Sequence, residues 1–211
     1  MPTHPSIMNT YGRLPIEFER GQGVWLYDNQ GNAYLDGISG IGVCALGHAH
    51  PVVTVAISTQ ASKLLHTSNL YHISTQKKLA DKLVSASGMS KCFFSNSGAE
   101  ANEAAIKLAR LFGHNNGITN PTIIVFDKSF HGRTLATLSA SGNKKIQAGF
   151  SPLVEGFIHV PYGDMDAVTA LTDNADIVAV LVEPVQGEGG VQKVETDLFP
   201  EVIFGNVVSG S

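Results

Sequence analysis

The run Phe93-Phe94-Ser95-Asn96-Ser97-Gly98-Ala99-Glu100-Ala101-Asn102-Glu103-Ala104 constrains the fold more than any other part of the chain. Two aromatics suited to a strand give way, within a few small polar residues, to an alanine-rich helix. A turn of this kind presents the backbone N–H groups of Ser97, Gly98 and Ala99, together with the positive end of the helix, to an anion. Side chains larger than these would block its approach. Ser97 followed by Glu100 is equally a capping box, the ordinary way to satisfy orphan N–H groups at a helix start. Local physics therefore leaves phosphate binding and plain capping both open.

Around this turn the pattern favours an α/β chain. Candidate strands at Cys92–Phe94, Thr122–Phe126, Gly156–Val160 and Ile177–Val182 alternate with helical stretches, which predicts a mainly parallel sheet with flanking helices. The unbroken apolar run over 177–182 suits a strand covered on both faces. On the helix that starts at the turn, Ala105, Leu108, Ala109 and Phe112 form one apolar stripe, and Glu103 and Lys107 stand at favourable i, i+4 spacing. Upstream, residues 13–36 read as a hairpin turning at Asp28-Asn29-Gln30-Gly31. Pro51 opens a helix to about Leu65 and a second helix runs from about Thr75 to Ser85, both expected to cover a sheet.

Composition excludes several functions. A chain of 211 residues with 43% hydrophobic content can bury a core. Its formal charge of −4, with 14 Lys plus Arg, offers no basic stripe for nucleic acid. Cys44 and Cys92 stand in no metal or redox motif and read as reduced thiols. No basic leader precedes an apolar core and no run of about 18 apolar residues occurs, so a cytoplasmic protein without membrane attachment is expected. His48 and His50 could be half of a metal site, but without a suitably spaced partner they read as loop histidines, and no metal is expected.

SNSGAEANEAAIKLAR resembles the phosphate-binding turn of the class III pyridoxal-phosphate aminotransferases of the ornithine/acetylornithine type. Further blocks follow in that family's order from about Tyr11 to Val191: Gly23–Asp28 with Gly31 and Tyr34–Asp36, Ala45–Pro51, Phe130-His131-Gly132-Arg133-Thr134, and Glu183–Gly190. The resemblance implies part of the fold type I of pyridoxal-phosphate-dependent transferases. On that basis residues 1–50 contribute to a small domain, 51–195 form a partial large α/β domain, and 196–211 are a divergent tail that looks like a truncation or frameshift. It further implies pyridoxal 5'-phosphate as cofactor, its phosphate on Ser97, Gly98 and Ala99 and its ring against Phe130. Arg133, Glu188 and Tyr71 are implied to face the substrate, with Glu183 fixing a strand end and His131 orienting its loop. An amino-acid substrate, 2-oxoglutarate and a homodimer complete the expectation.

One essential is missing. In such enzymes a Schiff-base lysine beyond the Gly-Glu-Gly-Gly block does the chemistry. No lysine of this chain matches that position; Lys128, near Phe130, is a poor candidate. The open alternatives are an aminotransferase of the acetylornithine type represented by its N-terminal half, a related ornithine, succinylornithine or 4-aminobutyrate enzyme, and a remnant that binds the cofactor or dimerises without catalysis. Absence of the second half would also leave the strand at Cys92–Phe94 as an orphan edge.

Overall fold

A computed structural model describes residues 6–193; the expected divergent tail lies outside the described residues. The chain divides into two compact units, one up to Lys77 and the other from Lys78.

In the first unit β1 (Phe18–Gln22), β2 (Trp25–Asp28) and β3 (Ala33–Leu35) form an antiparallel meander in that order. The expected turn joins β2 to β3. There the Asp28 carboxylate accepts from the backbone N–H of Gln30 (2.9 Å) and Asn32 (2.8 Å), and Gly31 takes φ +86°. The Asn32 side chain leads these contacts in holding Asp28 below the usual carboxylate range. Phe18 and Tyr34 meet edge to face, centroids 5.4 Å apart.

His48 is more than a loop histidine. Its backbone exchanges two hydrogen bonds with Gly23, and its Nε2 lies 2.6 Å from Asp36 Oδ2. Asp36 also accepts from the N–H groups of Ile38 and Ser39; the His48 bond first, then these two, lower its pKa. The clamp anchors α1 (Ser39–Gly42), a short turn in which Gly40 and Ile41 both have positive φ.

Pro51 occupies the first turn of α2 (Pro51–Ala61), as its fixed φ favours. The helix buries none of its residues, contrary to the expectation that it covers a sheet. Val52, Val55 and Ile57 are exposed. Apolar residues ring this helix rather than forming a stripe, so their spacing specifies a helix without specifying a face. After α2 comes α3 (Ser74–Ser87), which carries the boundary between the units.

The second unit centres on β4 (Thr122–Phe126), with β5 (Phe157–Val160) and β6 (Ile177–Leu181) parallel on either side in the order β5-β4-β6. α4 (Gly98–Asn115) precedes β4. Between β4 and β5 lie α5 (Leu135–Ala140) and α6 (Lys144–Gln147), and α7 (Met165–Thr169) follows β5. A small antiparallel pair, β7 (Val185–Gln186) and β8 (Gln192–Lys193), follows β6. Ile124 and Phe126 pack on one side with Val160 and Val168, while Ile123 and Val125 pack on the other with Ile106 and Ala140. β4 is thus the strand covered on both faces, and β6 is half-buried throughout.

Two local expectations fail. Residues 92–94 form no strand, because no strand among the described residues pairs with them and an extended segment without a ladder is not a strand. The buried face of α4 is Ile106 and Gly113, flanked by half-buried Ala109, whereas Leu108 and Phe112 are 69% and 59% exposed. Gly113 sets this rotation: a Cβ there would lie 2.7 Å from the Pro121 ring and 2.9 Å from Val178. Among the described residues no helix is long and apolar enough to cross a membrane.

Candidate functional site

Ser97 is the N-cap of α4, extended at φ −157°, and its Oγ accepts from Glu100 N–H at 3.2 Å. Glu100 reaches back to the Asn96 backbone N–H (2.6 Å) and side-chain amide (2.9 Å). The capping box is therefore formed, yet it does not consume the turn's donors. A helix start has four N–H groups without intrahelical acceptors further back. Glu100 N–H goes to Ser97 Oγ, and Ala101 N–H opens the intrahelical ladder on Ser97 O (3.0 Å), which leaves Gly98 and Ala99 among the N–H groups open to an incoming acceptor.

The segment following β4 lies directly against this turn. Asn102, one turn along α4, donates its side-chain amide to His131 O at 2.8 Å. At Gly132, with φ +136°, a Cβ would sit 2.9 Å from Ala99 Cβ and 3.1 Å from its Cα, so only glycine permits so close an approach. Glu103 accepts from Thr134 Oγ1 at the N-cap of α5 and from Thr137 N–H; it does not pair with Lys107, as the i, i+4 spacing had suggested.

Phe130 is half-buried, and its N–H donates to Glu183 Oε2 at 3.0 Å, linking the segment after β4 to the end of β6. Burial pushes the Glu183 pKa up and Glu188 adds to the rise, while the Phe130 N–H opposes both. The Glu183 carbonyl accepts from Tyr162 Oη at 2.9 Å, and the Tyr162 ring meets Phe126 edge-on at 5.9 Å. In β7, Gln186 is fully buried and donates to Asp127 O at 2.9 Å, and Glu188, beyond that strand, is exposed. The ends of all three parallel strands therefore meet, the place where open α/β sheets collect ligands.

His131 is 4% exposed. Its N–H donates to Ser141 Oγ (2.9 Å), but its buried Nε2 has no partner. Burial, with a smaller contribution from His159, lowers its pKa to about 4, so the ring is neutral near pH 7. Arg133 is exposed, its guanidinium carbon 5.4 Å from the Phe130 ring centre, and among the described residues it has no ion pair. The second unit thus gathers Ser97, Gly98, Ala99, Phe130, Arg133 and Glu188 around α4 and the strand ends. Tyr71 belongs to the first unit and is 69% exposed. Sequence reasoning missed Asn102, Tyr162 and Gln186. Asn102 alone left a signal: a polar residue inside an alanine-rich helix.

The residues present suit a phosphorylated aromatic cofactor. Two uncommitted N–H groups supply anion donors, and a half-buried aromatic stands on the segment packed against them. Among the described residues no group of three His, Cys, Asp or Glu is placed to hold a metal.

The family model for aminotransferase class-III matches residues 7–203. The acetylornithine aminotransferase of Nitrosomonas europaea is 63% identical over 186 residues, covering 88% of this chain and 47% of that protein. The enzyme of the same name from Gloeobacter violaceus is 50% identical over 93% of the chain and 49% of its own length. Among solved structures, the ornithine aminotransferase of Toxoplasma gondii superposes with a TM-score of 0.87 at 28% identity, over 92% of this chain and 47% of that one. N-acetylornithine aminotransferase of Stenotrophomonas maltophilia gives 0.74 at 35% identity, over 90% and 47%. The chain spans about half the length of the curated relatives it matches.

Proposed function

Because the chain belongs to the class-III aminotransferases, we propose that it is the cofactor-phosphate half of an acetylornithine-type aminotransferase and that, by itself, it binds pyridoxal phosphate without turnover. The whole enzyme would move the δ-amino group of N-acetylornithine to 2-oxoglutarate, giving the semialdehyde and glutamate, as a cytoplasmic homodimer. The identity of 63% to the Nitrosomonas europaea protein supports this substrate class. The domain division at residues 50 and 195 belongs to the same proposal.

Gly98 and Ala99 N–H groups and the Ser97 cap hold the phosphate, and Phe130 lies on one face of the ring. Arg133, exposed and without an ion pair among the described residues, takes a substrate carboxylate through two parallel hydrogen bonds. Glu188 helps place the substrate, and Tyr71 is a further candidate for that role. When bound, the cofactor supplies an electron sink for the amino-acid carbon. The lysine that carries the proton in such chemistry has no counterpart here, which favours cofactor binding without catalysis for this chain alone.

Equilibrium dialysis with pyridoxal phosphate, followed by borohydride reduction and peptide mass spectrometry, tests the reading. Saturable binding without a pyridoxyl-lysine peptide is expected; a reduced adduct on Lys128 or another lysine overturns the claim of inactivity. A chimera joining this segment to the remaining half of the Nitrosomonas europaea relative tests the substrate, with N-acetylornithine expected to outperform ornithine.

A further inference from the structure

We propose that Glu183 is a positioning residue for Phe130, setting the ring's height over the bound cofactor; this rests on the reading of the site as a pyridoxal-phosphate site. The link is geometric. Glu183 Oε2 accepts from Phe130 N–H at 3.0 Å across 53 residues of sequence, joining the segment after β4 to the end of β6. The main chain of Glu183 is itself fixed, since Tyr162 Oη donates to its carbonyl at 2.9 Å and the Tyr162 ring rests edge-on against Phe126 at the end of β4. Phe130 is followed by residues held just as firmly: His131 N–H on Ser141 Oγ, His131 O on Asn102, and Gly132 against Ala99. The Phe130 N–H is the point in this segment that a carboxyl side chain holds.

A tether serving stability alone would not favour a carboxyl group. Burial and the neighbouring Glu188 both work against its charged form, and a neutral amide or a backbone carbonyl would accept the same N–H without that cost. A carboxyl accepts that N–H in either protonation state, so the ring stays seated across the pH range in which Glu183 titrates. The phosphate donors of Gly98 and Ala99 belong to another element, α4, and do not depend on this bond.

That independence gives the test. Dissociation constants for pyridoxal phosphate and for inorganic phosphate are measured on the full chain and on Glu183→Gln, Glu183→Ala, Phe130→Ala and the double variant Glu183→Ala/Phe130→Ala. Glu183→Ala is expected to weaken pyridoxal phosphate about tenfold, the scale of one lost hydrogen bond. Inorganic phosphate should stay within about twofold, and Glu183→Gln within about twofold for both ligands. The two alanine changes should be non-additive. Amide hydrogen exchange without ligand should quicken at Phe130 in Glu183→Ala, not in Glu183→Gln, with Ile124 and Val125 unchanged as the sign of an intact sheet. Equal losses for both ligands, additivity, or a Gln variant as poor as the Ala variant overturns the proposal. If the exchange pattern holds but the unsubstituted chain binds no pyridoxal phosphate, the cofactor reading fails, and ring positioning falls with it although the tether is real.

Discussion

His131 illustrates how one buried group ties stability to pH. Its neutral ring is retained in the folded chain down to about pH 4, whereas the unfolded chain takes up a proton near pH 6.5. The unfolded state therefore binds more protons between those values. The contribution of His131 to stability is whole above pH 6.5 and is lost as the pH falls toward 4. The size is about 3 kcal/mol, from the two pKa values and 1.36 kcal/mol per unit. Urea unfolding between pH 7.5 and 4 should show that decline, and His131→Gln should flatten it. Glu183 acts with the opposite sign: its raised pKa makes its contribution grow as the pH drops, so the slope measured on Glu183→Gln should be steeper. The Phe-His-Gly-Arg-Thr block was legible in the sequence as a unit. What His131 does was not, because its neutrality comes from burial in the folded chain and, to a smaller degree, from the charge of His159 on β5, a residue distant along the chain.

At the scale of elements, apolar runs located the parallel strands well and the facing of helices poorly. β4 matches its expected range residue for residue, since a five-residue run of apolar or β-branched side chains is short for a helix and here finds β5 and β6 as partners. The rotation of α4 depends on Gly113, whose missing side chain lets the helix approach Pro121 and Val178. Periodicity weighs large apolar residues, so it pointed to Leu108 and Phe112 instead. Gly113→Ala sets two effects against each other. Helix propensity improves by up to about 1 kcal/mol, while overpacking against a rigid proline ring costs about 1–3 kcal/mol. Contacts of 2.7 and 2.9 Å decide for the second, so chemical denaturation should show a net loss of stability. The same reasoning explains residues 92–94: apolarity suggested a strand, but a strand exists only where a partner supplies a ladder.

Over the whole molecule, apolar surface remains open. Val52, Val55, Ile57 and Leu65 are 63–84% exposed, and Phe93 and Leu108 about as much. Scattered apolar residues are ordinary, but a helix with none of its residues buried is not. A hydrophobic dye such as anilinonaphthalene sulfonate should brighten with the native chain at neutral pH, and Val52→Ser/Val55→Ser should reduce that signal without lowering the unfolding midpoint. The proposal that this chain lacks a Schiff-base lysine rests on the sequence alone, whereas the union of strand ends through Tyr162 and Glu183 was not legible there, since it joins residues lying 21 apart through a hydroxyl on a main-chain oxygen. β4 carries a final consequence. Its residues alternate between the two apolar clusters, Ile124 and Phe126 in one and Ile123 and Val125 in the other. Neither layer can come apart while β4 stays in place, and neither survives once it leaves. The unit built on it is a single cooperative block: calorimetry should show one transition for it, and Ile124→Ala, at a cost of about 2–5 kcal/mol, should shift that transition as a whole rather than split it.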